Sequence, residues 1–263
     1  MRELMRLGFI GTGTITQAVV SGMLSLGVPF ERIALSPRNE KTAAALAARD
    51  ARIRVCASNQ AVLDDSGVVC LAVVPQIAQD VLGALTFDAR HHVISFMAGV
   101  SLEQLRALTR TGGKVVRTVP LPAVAQGKGS TAICPADEVA RAIFAPLGEA
   151  VEVDSEAKFD ALSAVTATMA SFYAVLEAQA SWLVEQGLDY ADARAFLSGY
   201  CVGLANDTTR TAEAFSAMLA HSMTPGGINE QLHNALSRQG AYALYHDALD
   251  RVLRRISGRA SGG

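Results

Sequence analysis

Leu7-Gly8-Phe9-Ile10-Gly11-Thr12-Gly13-Thr14-Ile15-Thr16 is an apolar run that breaks into two glycines spaced by one residue and then continues at helical spacing. The pattern predicts a strand, a tight turn and a helix, the opening of a dinucleotide-binding unit. Gly11 can take the turn that strand-to-helix reversal needs. Gly13 lacks a Cβ and lets a pyrophosphate approach backbone N–H groups at the positive end of the helix. Gly11, Thr12, Gly13, Thr14 and Ile15 are therefore candidate cofactor-binding residues. The third fingerprint position is Thr16 rather than Gly or Ala, so the turn must be weighed together with the next strand.

That second predicted strand is Arg32-Ile33-Ala34-Leu35, ending in Ser36-Pro37-Arg38-Asn39. A dinucleotide's adenosine ribose lies at this point, about 20 residues past the glycines. An Asp or Glu here would hold the ribose 2′-OH of NAD, whereas a 2′-phosphate wants a guanidinium and hydroxyl donors. Ser36 and Arg38 favour NADPH, with NADH as the second possibility.

The first 153 residues alternate strands with helices. Expected strands are 6–10, 32–35, 68–73, 92–96, 114–119 and 130–134, with helices over 15–26, 40–49 and 102–108. Such alternation specifies an α/β fold, a mostly parallel, doubly wound sheet of the Rossmann type. Ligands of open sheets bind beyond the carboxyl ends of strands. The tips Cys70-Leu71-Ala72-Val73-Val74-Pro75 and Val93-Ile94-Ser95-Phe96-Met97-Ala98-Gly99-Val100 are therefore expected to border the cofactor. Val73, Pro75, Ala98 and Gly99, together with Asn59, join the candidate cofactor-binding residues.

From 154 to 256 the apolar residues fall at helical spacing with no strand pattern. Helices are expected over 159–187, 190–220, 227–239 and 241–256, broken by Gly187-Leu188-Asp189 and Thr224-Pro225-Gly226-Gly227. The second domain is thus all-α, and helices this apolar suit an intersubunit bundle. The Ser257–Gly263 end, rich in Gly and Ser, is expected to be a flexible tail.

Composition narrows the function. The chain has 263 residues, 50% hydrophobic and 18% charged, with a formal charge of −2, which leaves no electrostatic footprint for nucleic acid or an anionic membrane. The sequence is read as carrying neither a signal peptide nor an apolar stretch of about 20 residues able to span a bilayer. Cys56, Cys70, Cys134 and Cys201 lack metal-type spacing and are expected as reduced, buried thiols of a cytoplasmic protein. His91, His92, His221, His233 and His246 share no helix face in ligand spacing, so no metal site is expected. Lys158 reads as a surface charge, and Tyr173 and Tyr200 as core residues with bonded hydroxyls.

Taken in order, Gly8-Phe9-Ile10-Gly11-Thr12-Gly13, Leu71-Ala72-Val73-Val74-Pro75-Gln76, Ser95-Phe96-Met97-Ala98-Gly99-Val100, Arg117-Thr118-Val119-Pro120 and Thr224-Pro225-Gly226-Gly227 resemble the pyrroline-5-carboxylate reductases. The resemblance spans nearly the whole chain. It implies an NAD(P)H-dependent reduction of a cyclic imine, most simply pyrroline-5-carboxylate to proline. It also implies a helical dimerisation domain and a homodimer able to assemble further.

Departures from the family concentrate in the substrate half. The family has Lys where this chain has Val74, Asn where it has Leu121, and a Ser-Gly-Ser-Gly-Pro run where it has Thr166-Ala167-Thr168-Met169-Ala170. Asn229 stands in place of a Thr. Asn donates a hydrogen bond but is no acid near neutral pH. The resemblance places substrate contacts at Gly226, Gly227, Ile228, Thr166 and Thr168, with Thr224 and Asn229 as the candidate catalytic pair. Thr224 and the N–H groups of Gly226 and Gly227 lie where a helix N-terminus should offer a carboxylate site. Two other readings stay open: a β-hydroxyacid dehydrogenase-like enzyme acting on C=O, and a non-catalytic NADP(H)-binding protein.

Overall fold

The computed structural model describes residues 4–258, so most of the expected tail lies outside the described residues. Two compact units emerge, Met1–Ser163 with Leu253–Gly263, and Ala164–Val252.

In the first unit the chain runs β1 (Arg6–Ile10), α1 (Thr14–Ser25), β2 (Arg32–Leu35), α2 (Glu40–Ala47), β3 (Ile53–Val55), α3 (Asn59–Asp64), β4 (Val68–Leu71), α4 (Ala78–Gly83), β5 (His92–Ser95), α5 (Leu102–Thr109) and β6 (Val115–Pro120). It continues through β7 (Gly129–Cys134), α6 (Glu138–Phe144), β8 (Gly148–Glu152) and α7 (Glu156–Val165). The eight strands form one sheet in the order β3-β2-β1-β4-β5-β6-β7-β8. All pairings are parallel except β6 with β7. The strand order reverses between β1 and β4, the switch point at which a doubly wound sheet opens a crevice for a ligand.

Strand alternation fills both faces of the sheet. Leu7 and Phe9 join a core with Val19, Met23, Ile33, Ile94 and Phe144, whereas Ile10, one residue on, joins Val62, Leu71, Leu82, Val93 and Leu105 on the other face. Two strands escape the sequence pattern. In β3 only Ile53 of Ile53-Arg54-Val55 is buried, and β8 alternates half-buried with exposed residues and carries Glu149 and Glu152. Both are edge strands, where charges and shortness guard against stray pairing and erase the apolar run that marks an inner strand.

The second unit holds α8 (Thr168–Glu185), α9 (Tyr190–Arg210), α10 (Phe215–Ser222), α11 (Ile228–Arg238) and most of α12 (Ala241–Ile256). The helix expected over 159–187 is two helices, α7 and α8, because Thr168 bonds back to the Val165 carbonyl at 2.8 Å and interrupts the ladder. The helix expected over 190–220 also divides. Thr208 and Thr209 bond back to carbonyls three residues earlier, and Thr211 turns extended with its hydroxyl accepting the Glu213 N–H. Ala180, Ala193 and Leu197 pack α8 on α9, and the Tyr190 hydroxyl donates to Glu177 at 2.6 Å.

Much of this unit's apolar surface stays uncovered within one chain. Tyr173 and Tyr200, expected in the core, are 62% and 54% exposed, and Phe172, Trp182, Phe196 and Phe215 are also exposed. The expectation that no stretch could span a bilayer is corrected as well. Glu156–Glu185 is long and apolar enough by length and composition, and only 17% of its most apolar window is buried. Helices with apolar residues on more than one face bury them against another surface.

Candidate active site

The glycine turn is built by hydroxyls. Gly11 takes φ +101° against the end of β4, where a Cβ would come within 2.5 Å of the Ala72 carbonyl, so only glycine fits. Its N–H donates to the Ser36 hydroxyl at 3.0 Å, and its carbonyl accepts the Thr16 hydroxyl at 2.7 Å. Thr12 is buried, and its hydroxyl lies 2.8 Å from the Ser36 carbonyl and 2.7 Å from that of Arg38. Asn39, in the left-handed region at φ +66°, donates to the Thr12 carbonyl. The departure at the third fingerprint position thus has a physical account: Thr16 supplies a donor to the turn that Gly or Ala could not.

The turn opens on a helix end whose N-cap residue, Gly13, has no side chain to cap it. Gly13 precedes α1 with no side-chain hydrogen bond, and a Cβ built on it would meet nothing within 4 Å. The first-turn N–H groups of α1, Thr14 and Ile15 included, have no intrahelical partner and carry the positive end of a 12-residue helix. These residues fit a pyrophosphate. Arg38 is exposed beside the turn, whereas Ser36 is buried and its hydroxyl is engaged with Gly11 and Thr12. Ser36 therefore shapes the loop, and the guanidinium is left as the group suited to a 2′-phosphate.

Strand tips complete the crevice. Pro75, after β4, and Gly99, after β5 at φ +72°, line one cavity of about 580 Å³ with Gln79, Val100 and Gln104. Val73 is half-buried and Ala98 exposed at the same tips, and Asn59 begins α3 behind the Ser58 cap. A larger groove of about 730 Å³, lined by Leu4, Met5 and Pro29, lies at the amino ends of the strands, away from the glycines.

The Thr224–Asn229 segment and the cofactor residues belong to different units. Gly226 has φ +73°, and its N–H donates to the Glu230 carboxylate at 2.7 Å; the Gly227 N–H donates to the Thr224 carbonyl at 2.8 Å. Both N–H groups expected to hold a substrate carboxylate are thus engaged within the chain. The Gly226 bond has a local cause: Glu230 stands in the first turn of α11 and reaches back over the helix end. Asn229 donates its carboxamide to the Ser222 carbonyl at 2.9 Å, joining α10 to α11, and Ile228 is 83% exposed. Thr168 lines an apolar cavity of about 380 Å³ with Ala167, Ser171, Leu244 and Tyr245, and Thr166 sits at the break before α8.

Other side chains have structural partners. His91 is buried between the Asp88 N–H and the Leu63 carbonyl, His92 lies 3.1 Å from Asp137, and Lys158 pairs with Asp154 at 2.9 Å in solvent. Cys56, Cys70 and Cys134 are buried as expected, and burial pushes the Cys70 thiol far up; Cys201 is only half-buried. Among the described residues no three His, Cys, Asp or Glu side chains cluster as a metal site. Sequence reasoning missed Glu230 and a cluster in which buried Arg117 pairs with Glu156 and Asp160. Signals existed for both: an acid three residues after Gly227, and a lone Arg inside the Val115–Pro120 strand.

A switch-point crevice with a glycine turn, followed by a helical second unit, defines a nicotinamide-dinucleotide oxidoreductase. The family description "NADP oxidoreductase coenzyme F420-dependent" fits residues 6–99, and "Pyrroline-5-carboxylate reductase dimerisation" fits residues 156–258. Nearly the whole chain is similar to pyrroline-5-carboxylate reductases. It is 28% identical to pyrroline-5-carboxylate reductase of Methanosarcina acetivorans over 96% of this chain and 97% of that protein, and 28% identical to that of Haemophilus influenzae over 84% of each. A crystal structure of Plasmodium falciparum pyrroline carboxylate reductase with NADP bound shares the fold, with a TM-score of 0.82 at 18% identity over 98% of each chain.

Proposed function

We propose that this chain reduces a cyclic imine with NADPH, converting pyrroline-5-carboxylate to proline. The observation that carries this is the end-to-end similarity to named pyrroline-5-carboxylate reductases together with a glycine turn fit for the dinucleotide. The bound reduced nicotinamide supplies a hydride, and an iminium carbon is already electrophilic, so the protein's task is to hold and orient.

The chain's own residues divide that task. N–H groups of Gly13, Thr14 and Ile15 hold the pyrophosphate, and Arg38 pairs with the 2′-phosphate. With Gly226 and Gly227 engaged, the Thr224 hydroxyl and the remaining N–H groups at the start of α11 face the substrate carboxylate. Asn229 orients the ring without giving up a proton, so the proton arrives on the imine or comes from water. The apolar faces of the second unit meet a second copy of the chain rather than a bilayer, giving a homodimer in the cytoplasm. The partners are then a small cyclic imino acid and a second copy of the chain, with neither nucleic acid nor membrane.

Loss of dihydronicotinamide absorbance with pyrroline-5-carboxylate tests the reading. Steady oxidation of NADPH with proline formed supports it. NADPH binding without turnover of any cyclic imine would make the non-catalytic reading the better one, and turnover only of hydroxyacid or ketoacid partners would favour C=O chemistry.

A further inference from the structure

Arg117 sits on β6 with its side chain 2% exposed, and a guanidinium buried there needs carboxylate partners; its two Nη groups have them, while its Nε has none among the described residues. Its Nη1 donates to Glu156 Oε1 at 2.7 Å, its Nη2 donates to Asp160 Oδ1 at 2.8 Å, and the planar group lies 4.4 Å over the Phe159 ring. Glu156 and Asp160 are four residues apart on α7, one helical turn, and so present two carboxylates to one fork.

Asp160, at 14% side-chain exposure, is the more enclosed partner; Glu156, at 35%, adds a second bond that reaches elsewhere. The same Glu156 Oε1 accepts the N–H of Leu102 at 2.8 Å. Leu102 is the first residue of α5, and Ser101 before it closes a capping box with Gln104. The loop that this end fixes, Ala98-Gly99-Val100, is the β5 tip of the cofactor crevice, with Ala98 and Gly99 exposed and Gly99 left-handed. Burial does little to hold these two residues. The Glu156 carboxylate holds the loop's far end, and Arg117 holds Glu156.

We propose that Glu156 is a positioning residue for hydride transfer: locked by Arg117, it fixes the Leu102 N–H and with it the Ala98–Val100 loop at the β5 tip, where a bound dinucleotide would be oriented. This rests on the reductase reading, and the test separates the two.

Leu102→Pro removes the N–H while suiting the first position of a helix, and Ser101, at ψ 163°, already has the extended conformation that precedes proline. Glu156→Gln removes the charge from the other side, and Asp160→Asn is the control that keeps the Glu156–Leu102 bond. In the NADPH-loaded protein, both clamp variants are expected to raise amide hydrogen exchange over residues 98–101 at least about fivefold, while Asp160→Asn stays within about twofold. Single-turnover hydride transfer to pyrroline-5-carboxylate should slow about tenfold with the NADPH Kd within about twofold of wild type. Unchanged loop exchange in both clamp variants overturns the proposal, as does faster exchange with undiminished hydride transfer. A wild type that turns over no cyclic imine sinks the reductase reading instead, and the clamp then stands or falls on exchange in the NADPH complex.

Discussion

The Thr16 hydroxyl donates to the Gly11 carbonyl at 2.7 Å across the first turn of α1, so the residue that breaks the glycine fingerprint is one that holds the fingerprint's shape. Thr16 is fully buried. Thr16→Val keeps the side chain's volume and leaves that carbonyl without its donor. It is expected to lower stability by about 1–2 kcal/mol, and to weaken NADPH and NADH alike, because the turn serves the pyrophosphate common to both. Thermal unfolding and calorimetric titration of both cofactors check this; a loss confined to NADPH would show that the turn is not what Thr16 supports.

Ser36 and Arg38 lie just past the end of the same strand and are expected to separate cleanly. Arg38→Ala should weaken NADPH by about 1.5–3 kcal/mol, the scale of a charge-assisted hydrogen bond, and barely touch NADH. Ser36→Ala deprives the Gly11 N–H of its acceptor, so it should weaken both cofactors together. Titrating each variant with each cofactor decides the matter, and equal losses from Arg38→Ala would end the 2′-phosphate assignment.

Glu230 places a carboxylate on the Gly226 N–H, where the family resemblance puts the substrate carboxylate. Glu230→Gln removes the negative charge while keeping an acceptor, and should lower the KM for pyrroline-5-carboxylate about three- to tenfold with little change in kcat. A KM that rises would mean that Glu230 organises the site rather than competes for it.

Asn229→Ala is expected to lower kcat/KM by about 1–3 kcal/mol while leaving NADPH affinity intact, with Asn229→Thr preserving turnover. Its bond to the Ser222 carbonyl gives the rival outcome a clear signature: a lower Tm with kcat/KM unchanged makes Asn229 a brace between α10 and α11 and no more.

Phe196, 69% exposed on α9, probes the second unit's apolar face. Light scattering of the wild type at low micromolar concentration should give a dimer or larger, and Phe196→Glu should shift it toward monomer, since a buried unpaired charge at an interface costs several kcal/mol. A monomeric wild type that floats with lipid vesicles would instead assign the apolar surface to a membrane.

Local pattern alone carries the first strand, the glycine turn and helix after it, the alternation that makes a parallel sheet, and the change to helices after residue 153. These features are legible because apolar periodicity and glycine placement are set within a few residues of each other along the chain. The last helix, Ala241–Ile256, is legible to the residue for the same reason. That β3 and β8 are strands emerges only once the chain is folded, since their pairing partners lie far along it and edge positions tolerate charges that disguise them. Folding likewise decides what the hydroxyls and charges do. Ser36 reaches Gly11 across 25 residues and Arg117 reaches Asp160 across 43. A polar side chain's role depends on which donors and acceptors the fold brings to it, and no spacing along the chain records that.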